Sequence, residues 1–152
     1  MTTRAKPTLH TMALAYQAIC QGASPWIPLG MFSHDFFGNF VRRRKTLVSD
    51  PIAEPPEVTP ELHRWTVFCA ASVEYLCQKY GLPCPDWVNH PAYRLAEPWY
   101  YTLGSGAEDP EIRAWLEETT PEAFTKRNIY CGDRVWANKY EIDDDLRHRR
   151  SA

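Results

Sequence analysis

Apolar side chains recur every three or four positions from Pro60 to about Tyr80, where Leu62, Trp65, Phe68, Cys69, Val73, Leu76, Cys77 and Tyr80 share one side of a helix and Gly81 follows as a stop. This periodicity is the strongest in the chain and predicts a helix at the centre of the core. A second helix is expected near 8–21, with Leu9, Met12, Ala13, Tyr16, Ile19 and Cys20 on one face before Gly22. A third, near 25–45, aligns Trp26, Leu29, Phe36, Phe37, Phe40 and Val41, and its Gly30 and Gly38 are small enough for close packing on a neighbour. Together the three predict an antiparallel bundle.

Prolines supply the punctuation. Ser24-Pro25, Thr59-Pro60, Asp109-Pro110 and Thr120-Pro121 each read as a capping residue followed by the first helical position. Glu61, Glu111 and Glu122 then place a carboxylate at the positive end of the helix dipole. Short helices are expected near 110–118 and 121–127, and a last one from Arg134 to about Arg149. Residues 50–58 hold three prolines and read as an extended connection. The span 82–106 is irregular and Pro-rich, with at most one helical turn around Pro85 to Asn89, yet it carries Trp87, Tyr93, Trp99, Tyr100 and Tyr101. A polar connector has no use for so many aromatics, so this segment is expected to fold onto the helices or to present a binding surface. The fold class is therefore mainly α: a compact helical bundle with a long aromatic, Pro-rich loop, in one domain over residues 1–152, with 143–152 frayed.

Composition sharpens this picture. The chain is 44% hydrophobic and 13% aromatic, enough large apolar surface to form a core, which excludes an intrinsically disordered chain. Its apolar runs fall short of the roughly 18–20 residues of a membrane span, and MTTRAKPTLH has no apolar signal core, so a cytoplasmic location without a membrane partner is expected. Charge is uneven: residues 1–50 carry six Lys or Arg against two acids, and residues 51–152 carry eleven against seventeen, giving +4 and −6. A positive end of this kind suits an acidic partner, whether protein or nucleic acid.

The chemistry-bearing residues form no preformed catalytic constellation. The five cysteines, at 20, 69, 77, 84 and 131, include no CxxC, and the histidines at 10, 34, 63, 90 and 148 include no HExxH or HxH, so no metal site and no cofactor are expected. The cysteines read as small buried hydrophobes. His34 and Asp35, with Asn39 and Arg42 at near-helical spacing, offer a polar flank, but adjacent helical residues point about 100° apart, which argues against an acid/base pair. The run Arg42, Arg43, Arg44, Lys45 is the most basic point and can grip phosphates, though four consecutive helical residues spread around the helix instead of forming a stripe. The stretch 126–133 (KRNIYCGD) reads as a helix end, with Asn128 bonding to free backbone and Gly132-Asp133 turning the chain. In the tail, Asp143 with Arg147 and Asp145 with Arg149 are stabilising i,i+4 pairs.

The pieces FFGNF at 36–40, RWTVFCAASVEYLC at 64–77, GLPCPDWV at 81–88, AEPWY at 96–100 and TPEAFTKRNIYCGD at 120–133 resemble, in order and spacing, a family of small uncharacterised bacterial helical proteins. The resemblance spans most of residues 25–135. It implies an association with nucleotidyltransferase-type toxin–antitoxin loci and a partner-binding, antitoxin-like role, and it transfers no catalytic residue. It also directs attention to positions that packing need not explain: Asn39, Trp87, Pro98, Trp99, Arg127 and Asn128. The leading expectation is a non-enzymatic module that docks on a protein partner through the aromatic loop 87–101 and the cluster around Arg127, since exposed Trp and Arg often dominate interfaces. The alternative is a nucleic-acid-binding regulator using Arg42, Arg43, Arg44 and Lys45. Third stands an enzyme in which a cysteine and a histidine meet in space.

Overall fold

A computed structural model describes residues 8–138, and within them the protein is mainly helical. Helix α1 (Met12–Cys20) starts where the Thr11 side chain accepts from the Leu14 amide, and it buries Met12, Ala15, Tyr16 and Ile19 along one stripe. Helix α4 (Pro60–Tyr80) has the predicted bounds: Thr59 caps it, Pro60 opens it, and Gly81 ends it at φ 66°, a left-handed conformation that suits glycine. Its residues 65–74 are buried without a break, so the middle of α4 is enclosed on all sides, while Glu61, Arg64, Gln78 and Lys79 at its ends are exposed. It packs against α1, against α6 (Glu122–Thr125) and against a 3-10 turn at Asp86–Asn89, while α1 packs on α2 (Trp26–His34) and α3 (Arg44–Ser49).

The single helix expected over 25–45 is not formed. After α2 the backbone widens into a π turn at Asp35–Asn39, with the Phe40 amide donating to the Asp35 carbonyl at 2.8 Å, and then tightens into a 3-10 turn at Val41–Arg43 before α3 begins. The physical reason lies in the side chains. Phe36 and Phe37 are both buried and stand edge-to-face with each other, centroids 5.2 Å apart. The widened turn places both rings against Tyr80, with centroids 5.5 and 6.0 Å away. Arg44 Nε then donates to the Phe36 carbonyl at 2.8 Å, restoring an acceptor that the interrupted ladder leaves over.

Helix α5 (Pro110–Thr119) is capped by Asp109, as its sequence predicts. Thr120 plays another part from the expected cap of α6: its hydroxyl bonds back to the Leu116 carbonyl and accepts from the Gly132 amide at 2.7 Å. A helix from Arg134 is also not observed. Residues 134–138 form turn and coil, because the Trp136 side chain inserts into the core and donates from Nε1 to the Ser72 hydroxyl at 2.8 Å. The remainder of that expected helix, with the acid–base pairs of the tail, lies outside the described residues.

The span 82–106 holds the expected helical turn and one feature that periodicity missed. Trp99–Tyr100 (β1) pairs in parallel with Ile129–Tyr130 (β2), Trp99 opposite Ile129. Two-residue strands are too short to alternate, so no sequence signal marks them.

Candidate functional site

The polar cluster around Arg127 is an internal joint. Arg127 follows α6 and is 4% exposed. Its Nη1 donates to the Ala123 carbonyl at 2.6 Å and to Glu74 Oε2 at 3.3 Å, while Nη2 donates to the Val88 carbonyl at 2.9 Å. One guanidinium thus ties α6, the middle of α4 and the 86–89 turn together, a use that suits its planar fork of donors. Glu74 also accepts from Lys126 Nζ at 2.6 Å. Burial by itself pushes the Glu74 carboxyl up, but the hydrogen bonds and charges of Lys126 and Arg127 outweigh it and hold the group below the ordinary glutamate range.

The next residue extends the joint to the aromatic segment. Asn128 sits at φ 66°, the left-handed region that asparagine tolerates, and donates from Nδ2 to the Leu95 carbonyl at 2.6 Å. Backbone bonds from Leu95 to the Arg127 carbonyl, from Trp99 to Asn128 and from Tyr101 to Tyr130 continue the seam, each between 2.8 and 3.0 Å. Residues 95–101 are therefore stitched along 127–130. Trp99 is half-buried, edge-on to Trp65 at 5.3 Å and close to Tyr101 at 5.2 Å. Trp87 is half-buried too, donating from Nε1 to the Val48 carbonyl at 3.2 Å, with Tyr93 edge-on at 6.5 Å. Pro98 is exposed between them in sequence.

The expected partner-binding residues thus divide by role. Trp87 and Trp99 each keep a surface open to solvent. Arg127 is almost fully buried, with three of its donor bonds made inside the fold, a position that holds the segment. Asn128 is half-buried and committed to the same seam. Asn39 stands apart on the π turn, exposed, and donates to Asp35 Oδ1 at 3.1 Å. The buried Asp35 carboxylate also accepts from the His10 amide and faces His10 Nδ1, both at 2.9 Å. Burial pushes Asp35 up, and these bonds from His10 and Asn39 bring it below the ordinary aspartate range. His34 is exposed and takes no part in this cluster.

The basic run is divided as well. Arg42, Arg43 and Lys45 are exposed, whereas the Arg44 guanidinium lies 4.3 Å from the Tyr80 ring centroid and 5.0 Å from that of Phe36. Arg44 belongs to the fold. Among the cysteines, all of them free, Cys69, Cys77 and Cys131 are buried as expected and Cys20 is half-buried, but Cys84 is exposed, its sulfur accepting a hydrogen bond from the Cys77 thiol. Burial pushes Cys131 up to about 12, opposite to what a nucleophile needs. Among the described residues, no group of three His, Cys, Asp or Glu side chains is placed to hold a metal ion.

Sequence reasoning passed over Glu74, the acceptor on which the joint depends. The signal was present: a single carboxylate within the otherwise uncharged run WTVFCAASVEYLC must find a cation if the helix is enclosed. It did not single out Arg94 either, which with His90, Lys126, Val88, Tyr93 and Arg127 surrounds an open depression of about 310 Å³ beside the joint. Tyr16, Thr66, Glu54 and His63 form a second polar chain, in which Thr66 Oγ1 donates to Tyr16 at 2.6 Å and Glu54 Oε2 faces His63 Nδ1 at 2.9 Å.

Compared with protein-family models, curated proteins and solved structures, the chain matches none. No helix among the described residues is long and apolar enough to cross a membrane.

Proposed function

We propose that the protein is a compact helical bundle acting as a non-enzymatic, antitoxin-like interaction module that binds a protein partner through the face built by residues 87–101. The observation that carries this reading is the seam from Leu95 to Tyr101 along Arg127 to Tyr130, which holds an aromatic, Pro-rich segment in place without burying it fully. A segment ordered before binding avoids much of the entropy cost of association, and half-exposed tryptophans supply the contact area that interfaces favour. Trp87 and Trp99 are the contact residues; Arg127 and Asn128 position them.

The test is affinity capture of the tagged protein from its native host, with and without nuclease, followed by mass spectrometry. One stoichiometric protein that survives nuclease and is lost with Trp87→Ala and Trp99→Ala, both still helical by circular dichroism, is the expected result. Retained capture by both folded variants rejects the reading.

The exposure of Arg42, Arg43 and Lys45 favours a second reading, contact with nucleic acid. Three cations neutralising three phosphates give a binding constant that falls about 40-fold between 50 and 200 mM salt. Complete loss of the captured material on nuclease treatment, with this salt dependence, moves the assignment to that reading.

A further inference from the structure

The charges beside the Arg127 joint do not balance. Glu74 is a single carboxylate shared by two cations: Lys126 Nζ on Oε1 at 2.6 Å and Arg127 Nη1 on Oε2 at 3.3 Å. Arg127 is sealed inside, but the Lys126 side chain remains 44% exposed, at the edge of the open depression. Arg94, which is exposed, lines the same depression. No Asp or Glu is among the described residues that line it. The lining thus holds three basic side chains and no carboxylate of its own; Lys126 and Arg127 share Glu74, and Glu54 acts on Tyr93 from beside the depression, so positive charge predominates at one concave site.

The rest of the lining adds shape and a directed donor. His90 Nδ1 accepts from the Ala92 amide at 3.1 Å, which leaves the proton of the neutral ring on Nε2, at the opposite side. The same ring lies against Tyr93, with centroids 4.9 Å apart, so its orientation is fixed by packing. Tyr93 and Pro91 give the depression an apolar wall next to its cations.

We propose that this depression is the binding site for an acidic segment of the protein partner, whose Asp or Glu carboxylates pair with Arg94 and Lys126 while a neighbouring apolar side chain rests on Tyr93 and Pro91. The inference rests on the reading of residues 87–101 as a docking face and names the chemistry that face selects. Charge complementarity commits the site to an anion. The open, part-apolar form favours an extended peptide over inorganic phosphate, which is more often enclosed by backbone amides. The predominance of positive charge also steers an acidic partner toward the face before contact, an effect that salt weakens.

The experiment uses the full chain and a fluorescein-labelled peptide carrying alternating Glu and Leu residues, followed by anisotropy, with the Gln-for-Glu peptide as its uncharged counterpart. Arg94→Glu and Lys126→Gln each weaken binding by about tenfold or more, the loss expected for one charge-assisted contact. The uncharged peptide binds weakly to every form, and Arg43→Glu, on the basic run and outside the lining of the depression, leaves binding of the acidic peptide unchanged. Lys126→Gln keeps a donor for Glu74, and Arg94 is exposed, so circular dichroism of both variants is expected to match the parent. Absence of binding by the acidic peptide, equal binding by the uncharged one, or binding lost with Arg43→Glu in place of Arg94→Glu overturns the assignment, as does full competition by inorganic phosphate at peptide-equivalent concentration. Arg94→Glu in the partner-capture experiment separates the two readings: capture lost with Trp99→Ala but kept with Arg94→Glu rejects the acidic-segment site and leaves the docking face intact, whereas capture kept by both rejects the docking face itself.

Discussion

At the scale of single residues, the fold turns on the pairing of a buried carboxylate. Arg127→Ala removes three hydrogen bonds at once, leaves the Val88 carbonyl without its guanidinium donor and leaves Glu74 with Lys126 alone. The expected loss is about 3 kcal/mol, the low end for breaking a buried pair because one cation remains, and urea denaturation measures it. The same pairing sets a pH dependence. Folding lowers the Glu74 and Asp35 pKa values, so in acid the unfolded chain binds more protons than the folded one. Their stabilisation is complete above the ordinary carboxylate range of about pH 4 and is lost as pH falls through the folded values. Thermal midpoints are accordingly expected to be flat near neutrality and to drop steeply below about pH 4, with Glu74→Gln less stable at neutral pH and less sensitive to acid. Arg127 shows how a residue type can be recognised and its direction missed: an arginine after a short helix looks alike in sequence whether it faces a partner or a buried glutamate 53 positions away.

At the scale of elements, the interrupted helix between Trp26 and Ser49 is the most informative. A continuous helix spreads Arg42 to Lys45 around its circumference with no preference among them. The π and 3-10 turns instead assign Arg44 inward and leave its neighbours at the surface. Arg44→Ala is therefore expected to cost about 1–3 kcal/mol, through the lost bond to Phe36 and the lost contact with the two rings, while Arg43→Ala stays within about 0.5 kcal/mol of the parent. Equal effects at both positions, by chemical denaturation, are incompatible with the broken helix. Caps were legible where a side chain bonds only to its own helix, as at Thr59 and Asp109; Thr120 was misread because its hydroxyl answers to Gly132, in a different part of the chain.

At the scale of the whole molecule, α4 is the axis around which separate pieces are assembled, and Trp136 closes the assembly. Its indole is 2% exposed and touches Trp26, Phe32 and Phe68, with centroids 5.7, 5.6 and 6.2 Å away. Trp136→Ala is expected to cost about 3–5 kcal/mol, read as a lowered thermal midpoint, and to leave the Ser72 hydroxyl without its indole donor. The joint at Glu74 and the seam at 95–101 are built the same way, from residues far apart in the chain that meet on α4 or beside it. What the sequence by itself determined is local: the bounds of α4, the caps at Thr59 and Asp109, the turn at 86–89 and the mainly helical class all follow from apolar spacing and from side chains that bond within four residues. Only the tertiary structure decided that Arg127 and Arg44 point inward, that residues 36–40 leave the α-helical path, that Trp136 enters the core and that β1 pairs with β2. Each of these depends on a partner distant in sequence, and the periodicity of a chain carries no record of which distant groups it must satisfy.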